Sequence, residues 1–256
     1  MAAYDILGNI AIVKFKRGVA RKEKIKFAKK IMGCYKEVKS ILEKSGKFSG
    51  RLRTLDTKYI LGEKTKEALY RENGCLFRFN VDTCYFSPRL ANERMEIARM
   101  VKKGENVLVM FGGVAPFAVV IAKTGKPRRV VSVELGRECN KYALENIKRN
   151  KLNNVSIIQG DVNKILSKLK ERFDRIIMAR PNLKDNFLDV AFSKIKKNGI
   201  IHYYGFYEEE KLNDLKELIV GEARKAGKKI RIVKIKKAGD IGVRKFRYRV
   251  DIRVLN

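Results

Sequence analysis

From residue 106 onward the apolar positions fall into short runs at regular intervals: NVLVMF, RVVSVEL, VSIIQGD, DRIIMARP and GIIHYYGF. Runs that are apolar throughout, instead of alternating, belong to strands buried on both faces. Segments with helical spacing separate them, and strands alternating with helices pair in parallel beneath two helical layers. The chain closes differently. KIRIVKIKK (229–237) and RYRVDIRVL (247–255) follow one another across the short turn region AGDIGVRKF, which predicts an antiparallel hairpin. The expected fold class is α/β, a doubly wound sheet with a closing antiparallel hairpin.

The first part of the chain reads otherwise. NIAIVKFK (9–16) alternates as a strand does, and RKEKIKFAKKIMG (21–33) repeats at helical spacing. KSILEKS, RLRTLD and KYILG predict further short strands. Together they predict a small α+β domain over residues 1–75, with a second domain over 76–256. The change comes near LFRFNVDTCYFSPRL (76–90), after which NERMEIARMVKKG (92–104) is helical, with Gly104 placed as its C-cap.

Charge adds a partner to this picture. Lysine and arginine total 59 against 28 acidic residues, a net charge of +31 in 256 residues, spread from end to end. Such a balance favours a polyanion partner. The opening MAAYDILGNIAIVKFK is apolar for too short a distance to be a signal peptide or a membrane span, which predicts a soluble cytoplasmic protein. The four cysteines (Cys34, Cys75, Cys84, Cys139) lack CxxC spacing and His202 is the only histidine, so no zinc site is expected. His202 itself reads as a core residue.

In a doubly wound sheet the ligand lies beyond the carboxyl ends of the strands. The first parallel strand ends in FGGVAPF, where Gly112 and Gly113 let the backbone approach a ligand. The second ends at Glu134, placed to accept from a ribose diol. The third ends in QGD, with Asp161 near an adenine edge. A dinucleotide site wants G-x-G-x-x-G to cradle its pyrophosphate, and here Ala115 and Pro116 interrupt that pattern. S-adenosylmethionine has no phosphate and fits the loop better.

The strings YDILGNIAIV (4–13), GCLFRFNVDTCYFSPRLANER (74–94), MFGGVAPFAVVIAK (110–123), ENIKRNKLNNV (145–155), FDRIIMARPNLKDNFLDVAF (173–192) and GIIHYYGF (199–206) make the chain similar to a known family. It resembles the archaeal and eukaryotic tRNA (guanine-N1) methyltransferases that act at position 37, just 3′ of the anticodon. These are related to the wybutosine aminocarboxypropyltransferases. The resemblance implies a class I methyltransferase sheet, S-adenosylmethionine as cofactor and tRNA as partner, with the protein working as a monomer. It implies a cofactor set of Phe111, Gly112, Gly113, Phe117, Glu134, Leu135, Asp161, Val162, Ala179 and Pro181. It also implies that Arg89 of YFSPRL stabilises charge developing on guanine O6, and that an amide stands at the end of the fourth parallel strand.

The chain departs from the family pattern at Val109, where an aspartate is usual, and at Ala115, where a glycine is usual. At the fourth strand end Ala179, Arg180 and Pro181 replace Asn-Leu-Pro or Asn-Pro-Pro, leaving Asn182 as the nearest amide. Aminocarboxypropyl transfer and noncatalytic tRNA binding therefore stand as alternatives. The chain begins at the segment resembling the family's second domain, so RNA is expected to be gripped by the basic stretch 14–71, including Lys14, Lys16, Arg17, Arg21, Arg51 and Arg53. Tyr85, Phe86, Tyr203 and Tyr204 are aromatic candidates for stacking on a flipped base, though strand aromatics commonly fill cores.

Overall fold

The computed structural model describes residues 2–46, 49–180, 182–242 and 244–256. At the N-terminus β1 (Ala3–Leu7), β2 (Ile10–Lys14), β3 (Ser40–Lys44) and β4 (Thr57–Gly62) form a sheet in that order, with α1 (Arg21–Cys34) crossing between the parallel β2 and β3. The hairpin β5 (Glu67–Glu72) and β6 (Cys75–Asn80) turns at Asn73 and Gly74, both with positive φ (51° and 71°). Asn-Gly is the pair that such a two-residue turn selects.

The larger sheet is built from β7 (Asn106–Met110), β8 (Arg129–Glu134), β9 (Val155–Gln159), β10 (Phe173–Met178), β11 (Ile195–Glu208), β12 (Ile230–Gly242) and β13 (Lys245–Val254). Their order is β12-β13-β11-β10-β7-β8-β9, with β7 to β11 parallel and β13 antiparallel to both β11 and β12. The chain direction across the sheet reverses between β7 and β10, which places the ligand crevice at the carboxyl ends of these strands. Alternate residues of β7 serve opposite cores. Val107 and Val109 face α2 (Ala91–Met100), α3 (Pro116–Thr124) and α4 (Arg137–Arg149), while Leu108 and Met110 face α5 (Val162–Lys168), α6 (Leu188–Lys194) and α7 (Leu212–Lys225).

Three local expectations are corrected. RLRTLD is a turn closed by a Ser49–Thr54 bridge and not a strand, because Gly50 (φ 65°) and Arg53 (φ 54°) break the extended conformation. The helix after YFSPRL ends at Met100, where Val101 turns extended into the core; Gly104 (φ 83°) sits in the next turn. AGDIGVRKF is mostly strand, since β12 runs on to Gly242 and β13 begins at Lys245.

The two parts of the chain share a core. Ala68, Phe77 and Phe79 of the β5–β6 hairpin pack in one cluster with Leu7 and Ile10 of the small sheet and with Val109 and Val119 of the large one. A boundary after residue 75 therefore runs through this hairpin. The outer edge of β6 is satisfied by side chains of α4. Asn146 Oδ1 accepts from the Arg78 amide at 2.7 Å and its Nδ2 donates to the Arg78 carbonyl at 3.2 Å. One helical turn later Asn150 does the same for Leu76, at 2.9 and 2.7 Å. A buried strand edge needs such partners.

A buried charged network ties α2 to β11 and β13. Arg249, fully buried, pairs with Glu93, with Glu96 at 2.8 Å and with Asp251 at 3.2 Å. Burial disfavours ionisation of Glu96, but Arg249 and Lys236 hold its carboxyl down at about 2. His202 lies inside this network, as a core residue was expected to. Its partners are charged: Nδ1 is 2.6 Å from Asp251 and Nε2 is 2.7 Å from Arg175 Nη1. An arginine can only donate, so Nε2 accepts, the proton sits on Nδ1, and the ring is neutral.

Replacing Asn146 with leucine leaves the Arg78 amide and the Arg78 and Val114 carbonyls short of a partner. It should cost about 2–4 kcal/mol in urea unfolding, and a loss under about 0.5 kcal/mol would show the side-chain ladder to be dispensable. Burial lowers the pKa of His202 below its ordinary 6.5, so the unfolded chain takes up its proton first. The stability this contributes is complete above pH 6.5 and is lost as pH falls toward the depressed folded value. With one histidine in the chain, the thermal midpoint should fall between pH 7 and 5 in the wild type, and His202→Gln should flatten that slope.

Candidate cofactor pocket and basic groove

A pocket opens beyond the carboxyl ends of the central strands, and the strand-to-helix loops build it. After β7 come Phe111, Gly112 and Gly113, then Pro116 and Phe117 of α3. A Cβ on Gly112 would collide with Ser132 Oγ, and Gly113 has φ 55°, so both positions favour glycine. β8 delivers Glu134 and Leu135, β9 is followed by Asp161 and Val162, and β10 by Ala179 and Arg180. Of the expected cofactor residues these nine, Phe111, Gly112, Gly113, Phe117, Glu134, Leu135, Asp161, Val162 and Ala179, line one pocket. Pro181 lies outside the described residues.

Glu134 organises two of the loops. Its Oε2 accepts from the Gly113 amide at 2.8 Å and its Oε1 from the Gly136 amide at 2.7 Å. Each carboxylate oxygen keeps a second lone pair for a ligand hydroxyl. Asp161 caps α5 through the Asn163 amide at 3.0 Å and pairs with Arg51 at 2.9 Å. Burial works against its charge, but the hydrogen bonds from Arg51 and the Asn163 amide outweigh it and hold the carboxyl below its ordinary value. Acceptors at Glu134 and Asp161 and apolar surface at Leu135 and Val162 suit an adenosine.

The far wall was not expected from the sequence. Arg51, Leu52 and Arg53, all from the β3–β4 connection, line this pocket with Tyr85 and Phe86. Arg53 stacks its guanidinium 4.0 Å from the Tyr85 ring centroid. Arg51 and Arg53 are thus brought to the pocket, while Lys14, Lys16, Arg17 and Arg21 are exposed. At the end of β10, Arg180 is buried, donating from Nε to the Tyr203 hydroxyl at 3.1 Å and from Nη1 to the Leu183 carbonyl at 3.2 Å. Burial raises the Tyr203 pKa despite Arg180, so that phenol stays protonated. Cys34 is exposed and the other three cysteines are buried; Cys139 of the pocket wall has its sulfur 2.8 Å from that of Cys84.

Arg89 and Asn182 do not line the cofactor pocket. They lie in an adjoining groove with Lys14, Lys44, Lys245 and the carboxylates of Asp5 and Asp240. Arg89 is well exposed and pairs with Asp5 at 2.9 Å. Pocket and groove share Arg53, Tyr85, Phe86, Ser87 and Arg247, so the two spaces meet along these residues. Tyr204 also lines the pocket, and both it and Tyr203 are fully buried. Among the described residues no helix is long and apolar enough to cross a membrane, and no three His, Cys, Asp or Glu side chains gather as a metal site.

The arrangement has counterparts among known proteins. Residues 68–235 match the TRM5/TYW2 methyltransferase domain. The chain is 37% identical over 260 residues to the tRNA (guanine(37)-N(1))-methyltransferase Trm5b of Pyrococcus abyssi, covering 98% of this chain and 74% of that protein. The crystal structure of that Trm5b superposes with a TM-score of 0.86, over 99% of this chain and 75% of the other. The chain is also 34% identical over 201 residues to the tRNA(Phe) (4-demethylwyosine(37)-C(7)) aminocarboxypropyltransferase of Methanocaldococcus jannaschii, covering 78% of this chain and 77% of that one. M. jannaschii TYW2 in complex with AdoMet superposes with a TM-score of 0.76 at 26% identity, over 99% of this chain and the whole of that one.

The roles of the two carboxylates predict different losses. Glu134→Ala removes the acceptor for two backbone amides as well as for the ligand, whereas Asp161→Ala removes a cap and one ligand acceptor. In calorimetric titration with S-adenosylmethionine, Glu134→Ala should weaken binding about a hundredfold and Asp161→Ala about tenfold. The reverse order would show that Glu134 serves the loops alone.

Proposed function

The chain belongs to the TRM5/TYW2 methyltransferase family, and from that membership we propose that it methylates N1 of guanine 37 in tRNA with S-adenosylmethionine. The observation that carries this reading is the junction of the two spaces: a pocket suited to adenosine opens into a groove lined by cations. A donor in the one and a polyanion in the other meet at Arg53, Tyr85, Phe86, Ser87 and Arg247. The activity named for the 37% identical relative supports the same reaction.

S-adenosylmethionine, when bound, supplies a methyl group on a sulfonium. In this reading Glu134 takes the ribose diol, Asp161 the adenine edge, Leu135 and Val162 the ring, and Phe111 with Gly112 and Gly113 the methionine side. Transfer would form the N1–CH₃ bond as the S–CH₃ bond breaks to leave a neutral thioether, with the N1 proton passing to a base and the charge it leaves behind gathering on O6. Arg89 and Asn182 act on the acceptor nucleotide from the groove. Residues 1–75 contribute phosphate contacts that position the anticodon region without reading its sequence. The protein acts as a monomer in the cytoplasm.

One observation favours a second reaction. The pocket has Ala179 and Arg180 at the end of β10, while the amide of Asn182 lies in the groove. Aminocarboxypropyl transfer requires the side-chain carbon, and not the methyl, to face the acceptor, so the wall at β10 decides between the two.

Nucleoside mass spectrometry of tRNA incubated with the enzyme and S-adenosylmethionine should show the gain of one methyl group, located on guanine N1. Gain of an aminocarboxypropyl group would establish the second reaction, and neither product in the presence of tight tRNA binding would leave a binding protein. Arg89→Ala should lower turnover at saturating tRNA about a hundredfold with cofactor affinity unchanged, since its partner is charge that develops in the transition state. A loss confined to tRNA affinity would make Arg89 a positioning residue.

A further inference from the structure

The β3–β4 connection reaches the cofactor pocket through separate contacts. Arg51 Nη2 lies 2.9 Å from Asp161 Oδ2, joining residues 110 apart in the chain. Leu52 lines the pocket although it is large, apolar and 43% exposed, and its Cδ2 stands 3.5 Å from where a Cβ on Gly136 would be. Leu135, which follows β8 in the same pocket, is 37% exposed. A single exposed leucine calls for no explanation. Two that line one concave site beside Glu134 and Asp161 are apolar surface available to a flat ring.

We infer that Arg51 and Leu52 form the outer wall of the cofactor site at its adenosine end, with Leu52 against the ring and Arg51 acting through Asp161 as a positioning residue. This rests on the S-adenosylmethionine reading above. Exposed ion pairs contribute little to fold stability, so the value of this one lies in orientation. Asp161 Oδ1 is fixed by the Asn163 amide and Oδ2 by Arg51, which sets the plane of the carboxylate that a ligand meets. The basic N-terminal part is then a component of the cofactor site as well as a grip on RNA.

The test titrates S-adenosylmethionine into full-length wild type, Arg51→Ala, Arg51→Lys, Asp161→Asn, the Arg51→Ala/Asp161→Asn double variant and Leu52→Ala. Arg51→Ala and Leu52→Ala should each weaken binding about fivefold to tenfold, lysine should recover part of the Arg51 loss, and Arg51→Ala should add less than about twofold once Asp161 is asparagine. In steady state KM for the cofactor should rise in Arg51→Ala with kcat at saturation unchanged, and the salt dependence of tRNA affinity should match wild type. Wild-type cofactor affinity in Arg51→Ala, or an equal loss with and without Asp161, overturns the assignment. So does a salt slope flattened by about one unit, which would make Arg51 a phosphate contact. Failure of the wild type to bind at all would instead remove the cofactor reading beneath it.

Discussion

The site depends on one carboxylate placed between two backbone amides. Glu134 stands at the end of β8 and receives hydrogen bonds from Gly113 on one side and Gly136 on the other. Parallel strands bring these loops near one another, and beyond the last ladder pair, Met110 opposite Val133, one backbone hydrogen bond follows, from the Gly112 amide to the Val133 carbonyl at 2.9 Å. A charged acceptor shared by both loops continues the registration beyond the sheet. Because hydrogen bonds to an ionised group are about twice as strong as neutral ones, the same group that presents lone pairs to a ligand also holds the glycine loop in place. Support and recognition are thus carried by the same two oxygen atoms.

Around this point the backbone is held in conformations that L-residues avoid. Phe111 (φ 61°), Ala115 (φ 66°) and Phe187 (φ 58°) all adopt the left-handed region, at roughly 1–2 kcal/mol each. The packing keeps them there: Ala115 is fully buried, and Phe111 and Phe187 meet edge to face at 4.9 Å between ring centroids. Ala115 starts α3 from a left-handed turn, a conformation that glycine would adopt at less cost. Such strain persists only where the surroundings over-determine it, and it gathers at functional sites.

The parallel core was legible because its strands are apolar on both faces, and each announced its own carboxyl end, where Glu134, Asp161 and the Gly112–Gly113 pair stand. The β5–β6 hairpin carries an equally local signal, Asn73 and Gly74 between alternating runs. The Arg51–Leu52 wall carried no local signal. A basic residue in a basic stretch looks like any other until a carboxylate 110 residues away is folded against it. His202 shows the same limit: its burial could be read from an apolar strand, but Arg175 and Asp251 come from two other strands. Local pattern reports which face a residue occupies, and only the fold reports its neighbour.

Asn146 and Asn150 give α4 an unusual relationship to β6. Residues four apart on a helix rise about 6.0 Å, and residues two apart on a strand advance about 6.7 Å. The two periods nearly coincide, so a helix bearing asparagine at that spacing can stand in for a neighbouring strand over two rungs, with a mismatch of about 0.7 Å that would spoil a third or fourth. β6 is therefore an edge strand whose outward amides and carbonyls at Leu76 and Arg78 are already taken. No second chain can extend the hairpin there by strand addition, which closes a common route to aggregation in a protein whose small sheets would otherwise invite it.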